Sequence, residues 1–258
     1  MELSDPTSVH CYNPVMPGPP SSSRAERRAQ LLDIALRQLE ESGPEGLQAR
    51  SLTAEIGAST QAIYTLFGGM AGLFEAIVAD GFVRFAQHVD AVAETEDPVA
   101  DHFSRGWAYC DWALAHPQLY RLMFGLTGGG LRVLVGLEMT MAGTLANFPE
   151  GQAAIEVLVR SVNRVIESGR IRPVNSIEAA AQFLSATHGY VLLEIAGAFG
   201  QPGERPQVLG QLAVNLMVGL GDEPDAVQRS LLATITARND MRHVPPDRPQ
   251  ADVTVASG

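Results

Sequence analysis

The run WAYCDWALAHPQLYRLMF, residues 107–124, sets Trp107, Trp112, Tyr120, Met123 and Phe124 at helical spacing. A stripe of this kind either fills a core or lines an apolar pocket in which a few polar groups orient a ligand. Covalent and acid–base chemistry have much less to work with. The chain carries no GxSxG, no HExxH and no glycine-rich phosphate loop, and no acid and base are paired at a catalytic spacing, so an enzyme is not expected. Cys11 and Cys110 stand far apart without a CxxC or CxxH partner, which excludes a disulfide framework and a structural zinc site. His188 precedes Gly189 and reads as a packed, hydrogen-bonded histidine, the glycine permitting close approach. Neither His102 nor His116 gives it ligand spacing, so no metal and no other cofactor is expected. Cys110, between Tyr109 and Asp111, reads as a small buried hydrophobe.

These side chains need a scaffold, and the composition can build one. The chain has 258 residues, 46% of them hydrophobic, with a formal charge of −11; its 18 basic residues are all arginines. A disordered chain is excluded, and the length allows two domains. Residues 1–23 hold Pro6, Pro14, Pro17, Pro19, Pro20 and three serines without an apolar or basic stretch, so a disordered arm is expected and not a signal peptide. Glu138, Arg160, Arg164 and Glu194 interrupt the apolar stretches, so no membrane partner is expected, and a reducing cytoplasm fits.

Apolar residues recur at helical spacing almost throughout, without sustained two-residue alternation, and the fold class is therefore all-α. Leu31, Leu32, Ala35, Leu36 and Leu39 mark a helix that stops at Gly43-Pro44. Two short helices are expected at 49–56 and 60–67, the second capped by Ser59, with Gly57 in the turn and Gly68-Gly69 as the stop. Further helices are expected at 71–93, 98–115 with Asp97 as cap, from His116-Pro117 onward, at 131–147, 150–168, 177–199 behind Ser176, and 206–220. One more could span 226–237 before the chain loses order.

The stretch LQARSLTAEIGASTQAIYTLFGGMAGL, residues 47–73, resembles the helix-turn-helix of TetR-type transcriptional regulators in Ala49-Arg50, Leu52, Gly57, Ser59, Ile63-Tyr64, Phe67 and Leu73. Small residues and a left-handed glycine let two short helices cross steeply over Leu52, Ile56, Ile63 and Phe67. The run 107–124 and the later THGYVLLEIAG, residues 187–197, are similar to the ligand-binding domain of the subgroup named after its Trp-His-Gly features.

The resemblance implies an amino-terminal helix-turn-helix domain at 24–80 and a ligand-binding and dimerisation domain at 81–221, with an extra helix and tail at 222–258. It implies a homodimer on a double-stranded operator: Thr60, Gln61, Tyr64 and Thr65 in the major groove, Arg50 and Ser59 on phosphates. Arg24, Arg27 and Arg28 could add phosphate contacts. A small, mostly apolar effector would sit among Trp107, Tyr109, Trp112, Tyr120, Phe124, Met139, Phe148 and Phe183, oriented by Thr187, Asn163 or His188, and release a repressor. The helix from Ala71 would carry the signal, and the two helices from Ile177 and Pro206 would form the dimer interface. Thr53 and Met70 stand where the family commonly carries an alanine and a lysine, and residues 24–83 hold five arginines against eight acids. These leave open an alternative: a receptor of the same fold with weakened or lost operator binding.

Overall fold

The computed structural model describes residues 23–126, 149–201 and 206–243, and among these it contains ten α-helices and no strand. They are α1 (Arg24–Ser42), α2 (Ala49–Ala54), α3 (Gln61–Phe67), α4 (Met70–Asp90), α5 (Pro98–Ala115), α6 (Pro117–Met123), α7 (Pro149–Glu167), α8 (Ser176–Ile195), α9 (Pro206–Gly219) and α10 (Pro224–His243). The helix expected at 131–147, together with Met139 and Phe148, lies outside the described residues, as do the arm through residue 22 and the tail from 244.

Local chemistry sets the starts and stops. Ser23 and Glu26 form a reciprocal capping box that begins α1 two turns before Leu31. Asp97 accepts from the N–H groups of Val99 and Ala100 at the start of α5. The cap of α8 is Asn175, whose side-chain oxygen accepts from Ile177 and Glu178, where Ser176 was expected; the serine is instead the first helical residue. Ser59 makes no side-chain cap either. Its carbonyl accepts the Ala62 N–H at 2.9 Å, so α3 starts at Gln61 with Thr60 as the flanking residue.

α1, α2, α3 and the first half of α4 close on Leu31, Ala35, Leu39, Leu52, Ile63, Leu73 and Ile77, all without solvent exposure. A helix as short as α3 has no stability of its own, so this burial, about 1.5–3 kcal/mol for each large apolar side chain, holds it in place. Two glycines at left-handed φ, Gly57 at 62° and Gly68 at 79°, turn the chain on either side of α3. Gly72 permits the next contact: a Cβ there would stand 1.9 Å from the Phe67 carbonyl oxygen, so only glycine lets α4 pass so close to the end of α3. α4 then continues into a second bundle with α5 to α9, to which it contributes Phe82, Phe85 and Val89. α10 is part of that bundle, since Ser230 bonds Asp97, Thr234 bonds the Ala100 carbonyl and Arg238 pairs with Asp111.

Candidate functional site

Gln61, Tyr64 and Thr65 stand at i, i+3 and i+4 of α3, opposite the buried Ile63, and share one outward face. All six residues expected to meet DNA, Arg50, Ser59, Thr60, Gln61, Tyr64 and Thr65, are exposed, with Tyr64 at 61%. The face offers an amide, a phenol and hydroxyls to whatever it meets, and α3 itself contains no charged residue. Thr53 is buried and donates its hydroxyl to the Ala49 carbonyl at 2.8 Å, so its polar atom is satisfied within α2.

The acidic excess of this region is largely committed to internal contacts. Glu26 belongs to the α1 cap, Glu55 is bound by Arg37 and Gln38, and Asp33 and Asp80 both pair with Arg84. Two of the arginines expected to reach phosphate act as braces: Arg24 donates to the Thr65 carbonyl at 3.0 Å, and the Arg28 guanidinium lies 5.0 Å from the centre of the Phe67 ring. Met70, half-buried at the start of α4, packs against the core.

A cavity of about 60 Å³ lies between α4, α5, α7 and α8. Phe82, Phe85, Val89, Ala154, Ile155, Leu158 and Leu184 give it an apolar wall, and Tyr109, Phe124, Phe183 and Thr187 join them, so four of the expected ligand contacts do line it. Trp107, Trp112, Tyr120 and His188, the other expected contacts among the described residues, do not line it. Trp107 borders a smaller adjoining hollow with Phe103, Leu209 and Leu231. Trp112 packs edge-on against Phe85, ring centres 5.2 Å apart, because its position on α5 turns it away from the cavity. Tyr120 is fully buried, its hydroxyl 2.7 Å from that of Tyr109 and hydrogen-bonded to His188 Nδ1. His188 lies against the Phe124 ring, and burial lowers its pKa. This Tyr–Tyr–His chain fixes one wall and leaves Tyr120 and His188 without a surface on the cavity. Gly189 faces open space, so the close approach expected at this glycine is not made among the described residues.

Two polar residues of the wall were missed. His102 is buried, with Nδ1 2.9 Å from Ser161 Oγ, and burial with the nearby Arg105 charge lowers its pKa to about 4, so it is neutral at physiological pH. Arg105 is buried at 4% and donates through Nη2 to the Val92 carbonyl and to Glu94. Spacing offered a signal: Phe85, Val89, His102, Arg105, Gly106 and Tyr109 lie one turn apart along α4 and α5, but nothing in the sequence said that these turns face each other. Cys110 is buried and burial pushes its thiol pKa up, as a small hydrophobe's would be. Among the described residues no cluster of His, Cys, Asp or Glu could hold a metal, and no single helix is long and apolar enough to cross a membrane.

The cavity connects to α3 by two routes. α4 lines it with Phe82, Phe85 and Val89 and abuts α3 at Gly72. The second route was not foreseen: Phe124, on the cavity wall, follows directly on α6, and the backbone N–H groups of Gln118 and Leu119 in the first turn of α6 both donate to the Glu40 carboxylate on α1, at 3.1 and 2.9 Å. Gly81 of α4 lets Met123 and Leu119 of α6 approach, since a Cβ there would stand about 3 Å from both.

Known proteins are similar in sequence and fold. Residues 31–77 match the family model of bacterial regulatory proteins, tetR family, and residues 104–217 match that of the tetracyclin repressor-like C-terminal domain. An uncharacterised HTH-type transcriptional regulator of Mycobacterium tuberculosis is 25% identical over 173 residues, 66% of this chain and 71% of that protein. A protein of unknown function from Rhodococcus sp. RHA1, 25% identical, superimposes with a TM-score of 0.62 over 82% of this chain and 100% of its own. The structure of RolR in complex with resorcinol, 15% identical, shares the fold at a TM-score of 0.53, covering 81% of this chain and 94% of its own. With both models matched in order over well over half of the chain, and with the exposed face of α3 where a helix-turn-helix requires it, the chain belongs to the TetR family and is a helix-turn-helix transcriptional regulator and not an enzyme.

Proposed function

We propose that the protein is a ligand-responsive repressor that acts in the cytoplasm as a homodimer and leaves a near-palindromic operator when a small, mostly apolar molecule fills the cavity. The DNA-binding domain is 24–80, and 81–221 serves effector binding and dimerisation. Thr60, Gln61, Tyr64 and Thr65 enter the major groove while Arg50 and Ser59 meet phosphates. Gln61 is the base reader, because its amide can make a bidentate contact with adenine. The observation that carries the reading is the face of α3: every polar side chain on it is exposed, and the core beneath is closed by Ile63. The mostly apolar cavity, joined to α3 through α4 and α6, supports ligand control, and resorcinol in RolR is a precedent for a small molecule in this fold.

Dimerisation is supported by apolar side chains that α8 and α9 leave in solvent, Leu193 at 49% together with Val208 and Val218. Exposed apolar side chains on two helices are the kind a partner subunit buries, and a two-fold interface buries them twice. Leu193→Glu should yield monomer in sedimentation velocity; a dimer of unchanged stability would move the interface elsewhere. The repressor reading is tested by a mobility-shift assay on the DNA flanking the protein's own gene. Retardation that random duplex of equal length does not compete supports it. A dimer that binds the cavity ligand but neither DNA would instead be a receptor that has lost its operator, as the acid-rich motif region and Met70 would allow.

A further inference from the structure

Arg105 is the one cation among the described residues of the cavity wall, and its side chain is only 5% exposed. Nη2 has two acceptors, the Val92 carbonyl at 3.3 Å and Glu94 Oε1 at 3.2 Å, but Nη1 is fully buried and has no hydrogen-bond partner among the described residues. An unpaired N–H on a buried guanidinium is costly, and a site that keeps one is matched to an acceptor that arrives from outside. Glu94 does not fill this role: its side chain is 55% exposed, and its other oxygen is shared with Arg164 at 3.4 Å. The acid on the inner side, Asp101, is already held by Arg164 at 2.7 Å and by Thr95.

Resting on the reading of this cavity as the effector site, we propose that it takes a small apolar monocarboxylate, with its ring or chain among Phe82, Phe85, Phe124 and Phe183 and its carboxylate on the Arg105 guanidinium. Arginine presents N–H groups in a planar fork that matches a carboxylate's two oxygens. A single charge is the most this wall can take, because Arg105 already shares its charge with Glu94 and a phosphate dianion would need a second cation. The only other basic side chain among the described residues of the wall, His102, is held neutral by burial and by the Arg105 charge itself. Thr187 adds a hydroxyl to the same wall.

The experiment is calorimetric titration of the full chain with benzoate, phenylacetate and hexanoate, each beside its primary amide, which has the same shape without the charge. At least one acid should bind about tenfold or more tighter than its amide, the value of one charge-assisted hydrogen bond in a dry site. Arg105→Gln should bring acid and amide to equal affinity. Glu94→Gln, on the exposed side, removes the competing carboxylate and should tighten the acid severalfold while leaving the amide unchanged. It decides the matter if Arg105→Gln fails to fold. Equal binding of acid and amide by the wild type, an acid preference that survives Arg105→Gln, no acid-selective change in Glu94→Gln, or no binding of any acid at millimolar concentration would each overturn the inference. DNA retardation measured on the same preparation separates the two readings: DNA binding without acid preference overturns only the carboxylate, and acid preference without DNA binding overturns only the repressor.

Discussion

The outward face of α3 and the wall of the cavity place charge in opposite ways. The face proposed to meet a polyanion has no charged residue in its helix and offers an amide, a phenol and hydroxyls, while Arg24 and Arg28 brace α3 through the Thr65 carbonyl and the Phe67 ring. The cavity wall, by contrast, holds a buried guanidinium. A charge in water contributes little and is screened by salt, whereas the same charge in a low-dielectric site discriminates strongly between ligands. The DNA face is therefore suited to reading sequence with modest non-specific affinity, and the cavity to selecting one ligand chemistry. Few basic contacts also mean that operator affinity should fall less steeply with salt than in a repressor with a basic motif domain.

The sharpest way to break the comparison is to remove the support of one region and leave the other. Gly72→Leu places a side chain where even a Cβ would overlap the Phe67 carbonyl. It should destabilise the α3–α4 junction by more than about 3 kcal/mol and abolish DNA binding, while the cavity, on the far half of α4, keeps its ligand. Thermal unfolding and ligand titration on one preparation check both halves; retained DNA binding would show that α3 does not depend on this contact.

The next effect belongs to the cavity alone. His102 has a folded pKa of about 4, below the ordinary value of 6.5, so the unfolded chain binds a proton that the folded one refuses. The resulting stability is complete above pH 6.5 and is lost as pH falls toward 4, about 3 kcal/mol in all. Urea unfolding of the wild type should show this slope, and His102→Gln should flatten it. A slope unchanged by the substitution would mean that His102 is not buried as described.

A smaller effect tests the bridge between the regions. Glu40→Ala removes the acceptor for the N–H groups of Gln118 and Leu119 and should lower stability by about 1 kcal/mol, as loss of a helix cap does. It should also weaken the influence of cavity ligand on operator affinity; an undiminished response would assign the coupling to α4 alone.

The two regions also differ in how far the sequence discloses them. A helix-turn-helix is specified within some thirty residues: Gly57 at positive φ, Ile63 inward, Gln61, Tyr64 and Thr65 outward all follow from local turn chemistry and a 3.6-residue period, and the structure has them so. Even here a tertiary contact escaped, because the need for glycine at Gly72 arises from the Phe67 carbonyl of another helix. The cavity is assembled from α4, α5, α7 and α8, and which turn of each faces inward depends on crossing angles that no single helix encodes. Tyr109, Phe124, Phe183 and Thr187 could be named because the resembled fold surrounds a cavity with their helices, not from helical phase alone. Arg105 and His102 could not, since a charged residue in an amphipathic helix ordinarily marks its solvated side. Trp112, Tyr120 and His188 show the converse, with aromatic character that serves the wall's support and not its surface.

The central claim, that α3 reads a specific operator, is tested most directly by selecting bound duplexes from a random library with the wild type and with Gln61→Ala. The wild type should recover a near-palindromic site whose half-sites lie about 34–36 Å apart, the spacing two recognition helices of a dimer require on B-DNA, and the variant should lose preference at one position in each half-site at a penalty of about 1–3 kcal/mol. Recovery of no motif by the wild type, or of the same motif with equal discrimination by Gln61→Ala, would contradict the account.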